Sequence, residues 1–253
     1  MVVLTSVWMA IGCFSRLPVP ALDWSERNMR YLIAAFPVVG LIIGGLMWGW
    51  LLLADALAVG TLLRSVVMCL IPYAVTGGIH LDGFSDVCDA RSSHASPERQ
   101  REIMRDPHVG AFAVIALIAY FLTFCGLCSE VDLDAAREVL SVFVLSRVAA
   151  GLLTLRVHPS TETGMLHAVQ ITARIRTCTV WLVVWALAAS LLCATTSWVV
   201  AVLDLVALAG TCLWVWGMSE RTFGGASGDV AGYLVTISEL VLLAIIVFVG
   251  KVA

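Results

Sequence analysis

The chain is expected to fold as an all-α, polytopic integral membrane helical bundle, and three features of its sequence carry that expectation. Of its 253 residues, 60% are hydrophobic and only 13% charged, about half the charged share of a soluble domain. The mean hydropathy is +0.97. The apolar residues gather in runs near the length that crosses a bilayer, and short arginine-bearing stretches separate them. One domain over residues 1–253 follows, with about six to eight transmembrane segments.

Residues 1–14 are apolar but short for a span, so a tilted or re-entrant segment is expected there. They lack a basic n-region and a small-residue cleavage site, and no cleavable signal peptide is expected. Phe14-Ser15-Arg16-Leu17-Pro18-Val19-Pro20 ends this segment. Spans are expected at 31–54, 62–79, 109–128, 136–155, 178–196, 198–217 and 233–250, with a helical hairpin turning at Thr195-Thr196-Ser197. Alternate loops carry Arg16, Arg27, Arg30, then Arg91, Arg99, Arg101, Arg105, then Arg156, Arg174, Arg176, then Arg221. The other set holds only Arg64, Arg137 and Lys251. The positive-inside rule therefore puts the 80–108 and 218–230 loops together on the cytoplasmic side.

The formal net charge of −3, with no basic stripe, argues against a nucleic-acid partner. The eight cysteines lie mostly inside apolar runs. Cys125 and Cys128 have CxxC spacing but no His or further Cys nearby, so they are expected to pack rather than to bind metal.

Chemistry concentrates in residues 76–89, where Asp82, Asp86 and Asp89 stand at steps of i, i+4 and i+7. On a helix they fall within an arc of roughly 60°. Like charges stacked this way destabilise a helix unless a cation sits among them, and a hard divalent ion such as Mg²⁺ suits oxygen ligands. Asp82 and Asp89 would lie about 10 Å apart along the axis. Neighbouring pairs holding one or two ions therefore fit better than a single three-way clasp. The alternative is a solvated acidic face. His80, two residues before Asp82, is placed either as a base or as an ordinary hydrogen-bonded histidine.

A second motif, Phe223-Gly224-Gly225-Ala226-Ser227-Gly228-Asp229, precedes the last span. Gly224, Gly225 and Gly228 free the backbone to present N–H groups to an anion. Asp229 stands where the helix begins, as a further ligand or as an N-cap. Glu239 falls about two turns into the same span, where a lone carboxylate is costly, and Arg147 in the 136–155 span is its expected counter-ion. Glu98 to His108 reads as a short amphipathic helix stopped by Pro107, with Arg99, Arg101 and Arg105 either solvated or reaching a phosphate.

These stretches together resemble the cobalamin synthase family, the adenosylcobinamide-GDP ribazoletransferases. The resemblance runs nearly end to end. It rests on Arg16-Leu17-Pro18, on Phe36-Pro37-Val38-Val39-Gly40, and on the acidic signature from Gly77 to Asp89. Arg105-Asp106-Pro107-His108-Val109-Gly110 and Gly224 to Asp229 complete it. Ala90 and Ser227 depart from the residues commonest in the family, Gly and Thr, and both are small changes.

The resemblance implies a multi-pass enzyme of the bacterial cytoplasmic (inner) membrane with a cytoplasm-facing site. It would join the corrinoid phosphate of adenosylcobinamide-GDP to a ribose hydroxyl of α-ribazole or its 5′-phosphate, releasing GMP. Mg²⁺ is the implied cofactor. Asp82, Asp86 and Asp89 are assigned to metal with Asp229 as a further ligand, His80 as base, and Arg105, Gly225 and Gly228 to phosphate. The implied partners are the two substrates and the bilayer, with room for a homo-oligomer. Without the resemblance, a CDP-alcohol phosphotransferase, a prenyltransferase or a secondary transporter would compete. The Asp-Gly-x-x-Ala-Arg string of the first is absent, and no internal repeat supports the last.

Overall fold

The computed structural model describes residues 2–251, Val2 by its backbone alone. The chain runs α1 (Val2–Phe14), α2 (Glu26–Met29), α3 (Leu32–Ala35), α4 (Pro37–Ala56), α5 (Thr61–Thr76) and α6 (Ile79–Ser92). It continues through α7 (Pro97–Ile103), α8 (Ala111–Ser129), α9 (Ala136–Arg156), α10 (Met165–Thr172), α11 (Ile175–Ala194) and α12 (Trp198–Met218). A π-helical turn over Ser219–Phe223 then leads to α13 (Gly228–Gly250). Among the described residues the only β pairing is an isolated bridge between Pro159 and Ala226. Six helices are long and apolar enough to cross a membrane, and a bent pair raises the number to seven. The all-α membrane bundle is borne out.

α9 is the axis of the bundle, buried along nearly its whole length. α4 crosses it closely because Gly40 and Gly44 are one turn apart on the contact face. A methyl at Gly40 would lie 2.1 Å from the Phe143 carbonyl oxygen, and one at Gly44 would lie 2.7 Å from Leu140 Cα. Small residues at i and i+4 are what let two backbones approach in lipid, where helices gain no hydrophobic drive to associate. α8, α11 and α12 instead expose large apolar side chains such as Leu122, Leu191 and Leu213. A lipid-facing surface requires this.

The hairpin at Thr195 is present: α11 ends at Ala194, and Ser197 caps α12 by accepting the Val200 N–H at 3.3 Å. α1 is a short helix whose inner residues Met9, Ala10 and Ile11 are buried.

Two expectations need correction. The 62–79 run is not one span, since α5 stops at Thr76 and α6 leaves it at 96°. Gly77 (φ 67°) and Gly78 (φ 86°) make the bend, both in the left-handed region that a side chain disfavours. The chain after the bend is no loop. The acidic stretch forms α6, with Gly83, Phe84, Ser85, Val87 and Ala90 buried. Hydropathy missed this helix because its apolar residues are interrupted by the acids that define it.

α7 is the expected amphipathic helix, capped by Ser96 through the Arg99 N–H. It ends at Ile103, four residues before Pro107. Asp106 accepts the His108 N–H at 3.0 Å, and this hydrogen bond, with the His108 ring, holds its carboxyl below the usual carboxylate range.

Candidate active site

The two acidic motifs, 140 residues apart along the chain, meet where α6 crosses the start of α13. A methyl on Gly83 would lie 2.6 Å from Asp229 Cα and 2.7 Å from the Asp229 carbonyl oxygen. One turn away on each helix the contact is returned, since a methyl on Gly232 would lie 3.0 Å from the His80 carbonyl oxygen. Thr236 Oγ1 also donates to that oxygen at 3.3 Å. Two glycines on opposite helices therefore set the separation of His80, Asp82 and Asp229.

The bend before α6 is held from the other side. The Arg16 N–H donates to the Val75 carbonyl at 2.8 Å, and the Arg16 side chain lies against Gly77. Beyond the crossing, Arg91 Nη1 donates to the Tyr233 hydroxyl at 3.2 Å, with its guanidinium over the Trp214 ring at 5.2 Å. Phe84 stacks on Tyr233. These contacts fix the rotation of α6, and with it the direction of its aspartates.

The three aspartates of α6 turn to two different neighbours. Asp89 turns to the N-terminus of α8. Its Oδ1 accepts the Ala113 N–H at 3.3 Å, and its carboxylate occupies the space beside Gly110 that a side chain would need. A negative charge there complements the helix dipole. Asp86 lies half-buried in the combined field of Asp82, Asp229 and Asp89. Ser227, not Asp229, caps α13, accepting the Val230 N–H at 3.1 Å. The Asp229 carboxylate is thereby left in the second position of the helix with Asp82 nearby.

Among the described residues no group of three or more His, Cys, Asp or Glu side chains converges to hold a metal by itself. Mg²⁺ needs no such cage, because it characteristically uses one or two carboxylates with waters and substrate phosphates. Asp82, Asp86 and Asp229 fit that mode as an all-oxygen donor set of one charge sign.

Two contiguous clefts open at this crossing, and Gly228, Asp229, Met165 and Leu166 line both. The first, of about 320 Å³, is the more polar of the two: Arg101, Arg105, Thr161, His167 and Ser227 contribute to its wall. Arg105 is exposed and has no ion-pair partner among the described residues. The second, of about 240 Å³, is walled by Phe14, Ile33, Phe36 and Val169, and His80 and Asp82 also line it. His80 is buried, and its Nε2 has no hydrogen-bond partner.

Behind His80, Arg147 pairs with Glu239 through Nη1 and Oε1 at a fully buried position, as expected from the sequence. Arg147 also donates to Ser146 Oγ at 3.0 Å.

The loop before α13 differs from expectation in one respect. The Gly225 N–H donates to the Ser219 carbonyl, and the Ala226 N–H to the His158 carbonyl at 2.8 Å. Gly225 itself (φ 132°) lies against the His158 carbonyl oxygen, where a methyl would approach to 2.4 Å. Its N–H is therefore committed inside the loop. Among the described residues no backbone partner takes the Gly228 N–H, and Gly228 lines both clefts.

The site residues that sequence reasoning missed come from 160–170, which roofs the clefts with Thr161, Met165, Leu166 and His167. Phe14 and Phe36 were known only as parts of motifs. The Ser-Thr-Glu-Thr-Gly run at 160–164 was the available signal, and it marks a turn without indicating what it covers.

No solved structure matches the fold. The profile of the cobalamin-5-phosphate synthase family matches residues 6–247. A protein of Lachnoclostridium phytofermentans, named adenosylcobinamide-GDP ribazoletransferase, is 32% identical over 250 residues, 98% of this chain and 96% of its own length. One of the same name from Geobacillus kaustophilus is 32% identical over 253 residues, covering 94% and 93% of the two chains. Another from Clostridium botulinum is 28% identical over 237 residues, covering 92% and 93%. With the match spanning every element that builds the crossing and its clefts, this chain belongs to the cobalamin-5-phosphate synthase family.

Proposed function

We propose that the α6–α13 crossing transfers the corrinoid phosphate of adenosylcobinamide-GDP to α-ribazole or its 5′-phosphate, releasing GMP. The observation that carries this reading is the contact of Gly83 with the Asp229 backbone. It brings the acidic helix and the Gly-Asp helix start together between a polar and an apolar cleft. Family membership supports the same reaction and gives no support to a transporter or a prenyltransferase.

A ribose hydroxyl of the acceptor attacks the phosphorus that bears the corrinoid. A new O–P bond forms while the P–O bond to GMP breaks, and the nucleotide leaves with the electron pair. The hydroxyl proton passes to His80 Nε2, which is buried without another partner beside Asp82. Such a reaction needs charge neutralisation and in-line positioning more than a covalent nucleophile. Mg²⁺, when bound, would neutralise the diphosphate; Asp82, Asp86 and Asp229 are the residues that would hold it, with Asp89 anchoring α6 to α8. Arg105 steadies a phosphate from the polar cleft, and the Gly228 N–H offers a backbone donor at the helix start. The excess of arginine on the site's face of the bundle supports a cytoplasmic orientation in the inner membrane.

The test is incubation of the purified protein in nanodiscs with adenosylcobinamide-GDP, α-ribazole and Mg²⁺, following corrinoid product and GMP together. Equimolar appearance of both, abolished by chelation, is expected. GMP release without corrinoid product, or no turnover in well-folded protein, would refute the reading.

A further inference from the structure

Resting on that reaction, we infer that the apolar cleft beneath α10 is the seat of the acceptor's aromatic base and the polar cleft that of the leaving nucleotide, so that Phe14, Phe36 and Ile79 determine which lower-ligand base is accepted. The argument starts from size. At about 240 Å³ the apolar cleft is smaller than the roughly 300–1,000 Å³ of sites that enclose drug-sized ligands. A bicyclic ring system with part of a sugar fits; a corrin macrocycle does not. The corrinoid must therefore remain outside and extend only its phosphate-bearing arm to the crossing.

Chemistry then separates the two nucleosides. Both the guanine of the leaving group and the base of α-ribazole are bicyclic and aromatic. Guanine carries a polar edge of carbonyl, amide and amine groups, and burying these unpaired is costly. Of the polar side chains that line this cleft, His80, Asp82 and Asp229 are committed to the reacting groups in the proposed reaction, which leaves Thr154 alone among Cys13, Phe14, Ile33, Phe36 and Val169. The base of α-ribazole instead presents a hydrocarbon edge with two methyl groups, which this wall matches.

The wall also has aromatic faces. The Phe14 and Phe36 rings lie 4.1 Å apart, and Phe36 lies 5.8 Å from the His80 ring. Offset and tilted ring contacts of this kind favour a flat aromatic guest. With its base against the aromatic wall, the nucleoside's sugar would face His80, Asp82 and Asp229 of the same cleft, where its hydroxyl is needed. The polar cleft, with Arg101 and Arg105, has the charge that a nucleotide's phosphates require.

The experiment compares α-ribazole with the nucleoside of unmethylated benzimidazole in nanodisc-embedded protein. Burial of two methyl groups predicts about a tenfold preference in kcat/KM for α-ribazole. Ile79→Ser, at the half-exposed rim, and Phe14→Leu should each reduce that preference at least threefold, on an order-of-magnitude scale, while leaving KM for the corrinoid diphosphate nearly unchanged. Arg101→Gln should do the reverse. A preference unmoved by Ile79→Ser and Phe14→Leu in active protein would overturn the inference, as would one moved by Arg101→Gln. Competition against α-ribazole by acyl chains, with base preference unaltered in both variants, would assign the cleft to lipid and overturn it equally. Should a variant fail to insert, the unsubstituted protein decides. Cys13 is half-buried in the same wall, and its maleimide labelling, resolved by peptide mass spectrometry, should be protected by α-ribazole and not by GDP. The opposite pattern would also overturn the assignment. Failure to form GMP with any acceptor is a separate result, and it would count against the reaction itself.

Discussion

Gly83→Ala should damage turnover far more than it damages folding. The added methyl would meet three Asp229 backbone atoms at 2.6, 2.7 and 3.0 Å, whereas ordinary contact begins near 3.4 Å. None of these atoms belongs to a side chain that can rotate away, so α6 and α13 must separate by roughly 1 Å. Overpacking of this size costs about 1–3 kcal/mol, which a bundle with an extensive α4–α9 and α9–α11 core can absorb. Displacing catalytic groups by about 1 Å can cost on the order of 10²-fold in rate. Gly232→Ala meets His80 backbone atoms at 3.0 and 3.1 Å and needs only a few tenths of an ångström of adjustment. Its loss should be several-fold smaller. Gly210→Ala in α12, where the methyl meets nothing within 4 Å, is the control and should retain full turnover. The assay is kcat for GMP release in nanodiscs beside a thermal melt of each variant. Wild-type turnover by Gly83→Ala, or equal losses for Gly83→Ala and Gly210→Ala, would refute the claim that this crossing positions the site.

Further outcomes are expected. Asp82→Asn and Asp86→Asn should each lower turnover on the order of 10²-fold and raise the Mg²⁺ concentration required. Asp89→Asn keeps an oxygen for the Ala113 N–H and should lose only several-fold, as turnover against Mg²⁺ would show. Glu239→Gln and Arg147→Gln should each reduce folded yield, because breaking a buried pair costs about 3–5 kcal/mol. The double change should be less harmful than the sum, and additive losses would show that the pair is not coupled. Single cysteines at Glu102 and Arg221, both exposed, should resist impermeant reagents added outside intact cells. Labelling of either from outside would reverse the proposed orientation.

The spans were legible because lipid imposes one demand along their whole length. α8, α11, α12 and α13 begin and end within a few residues of the expected bounds, apart from the first turns that α11 and α13 gain. The Arg147–Glu239 pair was legible for the same reason: two opposite charges in apolar runs have few ways to coexist except together. α6 was half legible. Its aspartate spacing announced a helix face, but nothing in its composition showed that Gly77 and Gly78 would turn it by 96° out of the preceding run. A pair of glycines permits many conformations, and the one adopted depends on Arg16 lying against Gly77 from a segment sixty residues earlier.

The same dependence explains why the three aspartates, spaced for one face, meet different neighbours. Spacing describes where side chains leave their own helix, whereas their partners come from other helices. Asp89 meets the start of α8 and is drawn into its dipole; Asp82 and Asp86 lie instead in the negative field of the Asp229 carboxylate at the start of α13. Gly225 follows the same logic. Its freedom at φ 132° was visible as a glycine, yet the reason for it lies in His158, whose carbonyl leaves no space for a side chain and takes the neighbouring Ala226 N–H. The bridge so formed suspends 160–170 over the clefts. A glycine that looked like part of an anion cradle thus has its own N–H taken by the Ser219 carbonyl and packs beneath 160–170, and its replacement should act through the position of Met165 and Leu166 rather than through a lost phosphate contact.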